Sequence, residues 1–93
     1  MRTYEAMCVF RVEDEQFQRG KDAVRAELTK LGATISKEED MGLRTIAYPI
    51  KDQTQAHYFY FVVEMEPEQA HKVEDAVRLL DGLLRFMMVR QES

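Results

Sequence analysis

Residues 43–65 read LRTIAYPIKDQTQAHYFYFVVEM, and the fold turns on how they are parsed. Two apolar, β-rich runs flank a polar connector. Leu43 to Ile50 leads in, Lys51 to Gln55 forms a linker, and His57 to Met65 leads back. Aromatic and β-branched residues suit a pleated, half-buried surface, and polar clusters mark turns, so the stretch predicts a β-hairpin. By the two-residue period, Phe59, Phe61, Val63 and Met65 share one face of the second run. Tyr58, Tyr60 and Val62 share the other. A strand apolar on both faces belongs in the middle of a sheet. If one face is the core, the other needs a cover or a partner.

Outward from this hairpin the periods alternate between two and 3.6. Residues 3–12, TYEAMCVFRV, predict a strand with Tyr4, Ala6, Cys8, Phe10 and Val12 on its core face. From Asp14 to Leu31 the stripe Phe17, Val24, Leu28, Leu31 predicts a helix, with Asp14 and Glu15 at its positive end and Gly32 as its stop. Residues Ala33 to Ile50 predict a second strand, interrupted at Glu38-Glu39-Asp40-Met41-Gly42, where the acidic run reads as a solvated edge or loop. Gly42 marks a bulge or bend, and Pro49 fits a strand end or a sheet edge. After the hairpin, Pro67 opens a helix with the stripe Ala70, Val73, Ala76, Val77, Leu80, ended by Asp81-Gly82. Leu83 to Arg90 predicts the last strand, with Phe86 and Met88 on one face.

The predicted order is strand, helix, strand, strand, helix, strand. Right-handed crossovers put both helices on one side of a four-stranded antiparallel sheet. This is an α+β, ferredoxin-like split βαβ arrangement with the first and third strands central. A length of 93 residues is enough for one domain, 1–93, with one modest core. No run approaches the roughly 18 apolar residues needed to cross a bilayer. The start, Met1-Arg2-Thr3-Tyr4-Glu5, carries an acid inside the first strand and does not read as a signal peptide. The single Cys8 has no internal partner and reads as a small buried hydrophobe, so a cytoplasmic protein is expected.

No catalytic constellation is present in the sequence. His57 and His71 stand alone, without a nearby cysteine or paired carboxylates, and there is no glycine-rich phosphate loop, nucleophile elbow or metal-ligand spacing. The expectation is a non-enzyme with no cofactor and no metal. The helix-free sheet face is more informative. By parity it carries Glu5, Met7, Val9, Tyr58, Tyr60, Val62, Arg85, Met87 and Val89. Central-strand aromatics can stack on unpaired bases, but the RNA-recognition pattern is poorly matched, and contact with another protein chain is the better reading. Net charge is −4, from 17 acids against 13 Lys plus Arg, which argues against nucleic acid unless the charges are sided. Many acids fall in helices or loops, whereas Arg2, Arg44, Arg85 and Arg90 fall at or beside strands.

The segments MRTYEAMCVF, LGATISKEEDMGLRTIAYPIKD, HYFYFVVEM and RLLDGLLRFMMVR, in this order, resemble the bacterial small-subunit ribosomal protein S-six family. The most specific piece is Gly42 to Ile50, GLRTIAYPI, which follows the family's G-x-R-x-x-A-Y-P-I pattern. The resemblance implies a ferredoxin-like fold, a place on the small ribosomal subunit, and binding to the central domain of 16S rRNA together with ribosomal protein S-eighteen. Arg2, Tyr4, Arg44, Tyr48 and Pro49 occupy matching positions. Tyr4 is expected in the core, and Arg2 and Arg44 near one end of the sheet as RNA contacts, joined by Arg85 and Arg90. Tyr58, Tyr60, Val62, Met7 and Tyr48 are the expected partner-protein contacts. Thr45 stands where the family often has a second basic residue, which removes one phosphate contact. Where many members carry a longer acidic tail, this sequence reads Gln91-Glu92-Ser93, so a tail modification has little to act on. The alternative is a ferredoxin-like interaction module or dimer that uses the open face without RNA.

Overall fold

A computed structural model describes residues 1–91, so the expectation for the tail at Glu92 and Ser93 lies outside the described residues. The elements are β1 (Arg2–Phe10), α1 (Asp14–Lys30), β2 (Thr34–Ile50), β3 (Gln53–Met65), α2 (Pro67–Val77) and β4 (Leu83–Arg90). All pairings are antiparallel and the strand order is β2-β3-β1-β4. The fold is therefore the α+β, ferredoxin-like split βαβ arrangement, with β1 and β3 central as their two-sided apolar pattern requires.

The β1–β3 register runs unbroken from Arg2 opposite Met65 to Phe10 opposite His57. The middle of one face of that pair is dry. Ala6, Cys8, Phe10, Phe61, Val63 and Met65 have no exposed surface, and Phe17, Val24 and Leu28 of α1 and Val73 and Val77 of α2 close over them. Tyr4 is buried here too, and Phe86 and Met88 of β4 pack against the same cluster. Burial pushes the Cys8 thiol up to about 12, so it is inert packing material.

Local chemistry explains the element ends. At the C-terminus of α1, Gly32 has φ +85 and donates its N–H to the Thr29 carbonyl at 3.0 Å, while Ala33 donates to Leu28 at 2.9 Å. That is the two-bond stop that a glycine in a left-handed conformation permits. The helix α2 begins at Pro67 as expected but ends at Val77, three residues before Leu80. The Leu80 side chain still packs on the core from the following turn, so the apolar spacing persisted where the helix did not.

The second strand differs from expectation. It is continuous from Thr34 to Ile50 instead of interrupted, and of the two readings of the acidic run, solvated edge or loop, the edge is the one found. The irregularity is absorbed as shifts of register, one between Asp40 and Gly42, where Gly42 has φ +83. Each acid in the run has a cationic or hydrogen-bonding partner. Glu38 takes a forked pair from Arg25, at 2.9 Å from Nε and 2.6 Å from an outer nitrogen. Asp40 accepts from His57 Nε2 at 2.5 Å and from the Gly42 N–H at 2.9 Å. His57 is half-buried within β3, not at its start, and stacks on Phe17 with ring centroids 3.5 Å apart. The linker is also shorter than expected. Only Lys51 and Asp52 form the turn, with φ 50 and 66, the positive pair that a two-residue hairpin demands.

Gly20 sits in α1 against the sheet. A Cβ there would lie 2.8 Å from Phe10 Cδ1, inside a fully buried ring. In an open helix Gly→Ala gains about 1 kcal/mol. Here overpacking is expected to reverse the sign, with Gly20→Ala costing about 1–3 kcal/mol in chemical denaturation. Phe61→Ala removes a ring with no exposed surface and is expected to cost about 3–5 kcal/mol. An unchanged melting temperature would show that β3 faces the other way.

The edge-strand acids also set a pH dependence. The Arg25 guanidinium holds Glu38 below its ordinary 4.5. Burial opposes ionisation of Asp40, yet the bonds from His57 and the Gly42 N–H, with Lys21 nearby, hold it below 3.8. A carboxyl whose folded pKa is depressed contributes stability above its unfolded value and loses it as pH falls through the folded one. The melting temperature is therefore expected to fall on acidification from about pH 5 to about pH 3, and to fall less in a Glu38→Gln, Asp40→Asn variant.

Candidate functional site

The helix-free sheet face is built of transverse rows. Val62, Glu5 and Val89 lie side by side across β3, β1 and β4, followed by Tyr60, Met7 and Met87, then Tyr58, Val9 and Arg85. On the edge strand, Lys37 stands opposite Val62 and Glu39 opposite Tyr60. Directly opposite residues share a face, so the expected face assignment holds row by row.

The two ends of this face differ. Around Tyr60 it is polar: the Tyr60 hydroxyl donates to Glu5 Oε1, Glu39 lies alongside, and the bond to Glu5 raises the phenol pKa above its ordinary 10.0. Around Tyr58 it is apolar. Val9, Ala56 and Leu84 are buried there, and Ile46, Ile50 and Tyr58 pack on them. The end of the β2–β3 hairpin thus folds toward the open face and leaves a groove of about 270 Å³ against the sheet. Met7, Tyr48, Tyr58 and Met87 are among its lining residues, and Arg85 stands at its border. Tyr48 is 83% exposed and Met87 49%, which leaves a large apolar surface uncovered.

The expected partner residues fall together in part. Met7, Tyr48 and Tyr58 line the groove, whereas Tyr60 and Val62 lie in the rows beyond it. The expected arginines do not form one patch. Arg2 pairs with Met65, and Arg90 stands opposite Tyr4, so both lie at one end of the sheet on the helix side. Arg44 stands opposite Ala56 and Arg85 opposite Val9, at the other end and on the open side. Placing Arg2 and Arg44 near one end is thus corrected by the register. Arg90 shares a cleft with His71 and Glu74. The Arg44 Nε makes a 3.4 Å bond to the Met41 carbonyl.

Three cations that the strand pattern did not single out meet at the hairpin end. Arg11 follows β1, Lys51 tips the hairpin, and Arg78 caps α2, and all three line one cleft of about 220 Å³. Arg78 also shares a second cleft with Arg85. The signal that could have found them is position at an element boundary: each stands where an element ends at the same end of the sheet. Among the described residues, no group of three His, Cys, Asp or Glu side chains is arranged to hold a metal ion. No helix among them is long and apolar enough to cross a membrane.

Comparison with known proteins adds identity to this geometry. The family model for ribosomal protein S6 matches residues 3–90. Small ribosomal subunit protein bS6 of Treponema pallidum is 40% identical over 93 residues, covering the whole of both chains. The bS6 of Thermus thermophilus is 30% identical over 95 residues, spanning all of this chain and 94% of the relative. The crystal structure of 30S ribosomal protein S6 from Thermotoga maritima superposes with a TM-score of 0.87 at 24% identity, over 97% of this chain and 87% of that one. That last likeness supports the fold; the family rests on the sequence matches. The chain belongs to the ribosomal protein S6 family, structural rather than enzymatic constituents of the small ribosomal subunit.

Proposed function

We propose that this protein binds the central domain of 16S rRNA jointly with ribosomal protein S-eighteen, docking the partner on the open sheet face and meeting RNA phosphates through its arginines. Family membership makes it a structural component of the small ribosomal subunit and sets its location on the ribosome. The observation that carries the finer reading is the groove on the open face. It is apolar at Tyr48, Tyr58 and Met87, and the same sheet face carries Glu5 and Glu39 in the rows beyond it. A basic partner with an apolar anchor fits both halves. Such a partner also supplies the attraction that a chain of net charge −4 lacks toward a polyanion.

The arginines divide the work by position. Arg44 and Arg85 flank the groove end, where RNA and partner can be reached together, and Arg2 and Arg90 offer a second contact at the opposite end. Phosphate contacts fix register and orientation without reading sequence, so a few suffice once a partner adds the rest.

The test is a pair of titrations for each variant, one against the partner protein and one against an rRNA fragment with partner present. Tyr48→Asp places a charge on a side chain that carries no core packing, so the fold is retained and the protein pair is expected to weaken by at least tenfold. RNA binding should fall only as a consequence. Arg44→Ala is expected to leave the pair intact and weaken joint RNA binding. Full pair affinity in Tyr48→Asp would remove the groove as the docking surface. Absence of rRNA binding by the wild-type pair would favour an interaction module without RNA.

A further inference from the structure

We propose that the cleft at the hairpin end is a contact for the phosphodiester backbone of RNA, held by Arg11, Lys51 and Arg78 with Arg85 beside them. The inference rests on the rRNA-binding reading and gives it residues that the strand pattern left out. One backbone bond and one side-chain bond bring the cations together. The Arg11 N–H donates to the Gly82 carbonyl at 2.9 Å, and Lys51 Nζ donates to the Leu83 carbonyl at 3.5 Å. The segment between α2 and β4 is thereby tied to the end of β1 and to the hairpin tip. Gly82 has φ +86, and a Cβ there would lie 2.7 Å from the Gln16 carbonyl oxygen, so the segment is wedged against α1. Arg11 is thus presented from backbone tied at Gly82, and the Lys51 ammonium is held beside it.

Two of the three cations carry charge that no carboxylate of the described residues neutralises. Arg19 pairs with Glu15, Arg25 with Asp22 and Glu38, and Lys37 with Glu39. Among the described residues, neither Arg11 nor Lys51 is in an ion pair, and Arg78 pairs with Asp75 at 3.9 Å on an exposed surface, a contact as loose as that of Lys37 with Glu39. Asp81 also lines the cleft, which weakens its pull on a lone small anion. The layout suits a chain of phosphates better. Arg78 shares a second cleft with Arg85, and Arg85 borders the open-face groove, so the cations form a strip that reaches the docking surface. A guanidinium offers two parallel N–H bonds to the unesterified oxygens of a phosphodiester, and an ammonium offers a point charge.

The experiment titrates the full chain, with the partner protein present, against an rRNA central-domain fragment at several salt concentrations. The variants are Arg11→Gln with Lys51→Gln and Arg78→Gln together, Arg11→Gln alone, and Lys30→Gln, a control at the far end of α1. Each phosphate contact removed lowers the slope of log affinity against log salt by about one unit. The triple variant is expected to lose about three units and the single variant about one, with unchanged affinity for the partner. Lys30→Gln should keep the wild-type slope. A wild-type slope in both cluster variants overturns the inference while leaving rRNA binding standing. Loss of partner affinity instead assigns the cleft to protein contact and overturns it too. No rRNA binding by the wild type overturns both readings. Arg11→Gln alone decides the matter if the triple variant does not fold.

Discussion

The pairing of β1 with β3 is the constraint on which the rest of the structure depends. Both strands are apolar on the helix side, and together they present a surface with no exposed area at Ala6, Cys8, Phe10, Phe61, Val63 or Met65. Burial of that size is the main favourable contribution in a protein with about 5–10 kcal/mol of net stability. Yet β3 spans 13 residues and β1 only nine, so the hairpin overhangs its neighbour. The overhang cannot be covered by the helices. It bends toward the open face instead, where Ile46 and Ile50 pack around Val9, Ala56 and Leu84. The groove is the remainder of that packing: the hairpin covers part of the open face and leaves the rest apolar.

The period of two makes much of this legible in the sequence. The core face of β1 as far as Phe10, the two-sided character of β3 and the faces of β4 from Arg85 onward follow from alternation alone, because a half-buried strand cannot hide its parity. At Leu83 and Leu84 a register shift opposite Val9 and Phe10 inverts it, and Val12 lies beyond the strand. What the pattern missed has identifiable causes. Glu38, Glu39 and Asp40 read as an interruption, edge or loop alike, because an edge strand's exposed side chains need no apolar residues. Their stabilisation comes from Arg25 and His57, 13 and 17 residues away in sequence. The helix α2 ends earlier than its apolar stripe because Leu80 keeps the helical spacing while packing from a turn. The arginines were scattered because position along a strand fixes a face but not an end. Only the register shows Arg2 and Arg44 at opposite ends. Arg11, Lys51 and Arg78 belong to three different segments, and no local period could have joined them.

His57 shows the same limit in one side chain. Read alone it is an isolated titratable group. In the fold it is a spacer, stacked on Phe17 and bonded to Asp40, with Lys21 over the Phe17 and Phe59 rings at 5.2 and 5.4 Å. A carboxylate, an imidazole and an ammonium thus seal one corner of the core against β2. Such contacts contribute modestly when exposed. They matter because they satisfy the polar groups that an edge strand carries across the mouth of an apolar core.

Net charge and local charge then separate by simple magnitudes. Screening sets a length of about 8 Å at physiological ionic strength. The molecule measures 36 × 25 × 19 Å, so its long axis spans several such lengths. Glu64 pairs across from Thr3, and Glu66 lies 3.7 Å from the N-terminal amine, both at the end away from the hairpin. Their repulsion is largely spent before it reaches a phosphate held at Arg11 or Arg78. The same screening lets Glu5 and Glu39 attract a basic partner on the open face without defeating the cations at the hairpin end. An acidic protein can therefore face both a polyanion and a basic protein, because over these distances the local charge, not the net charge, governs each contact.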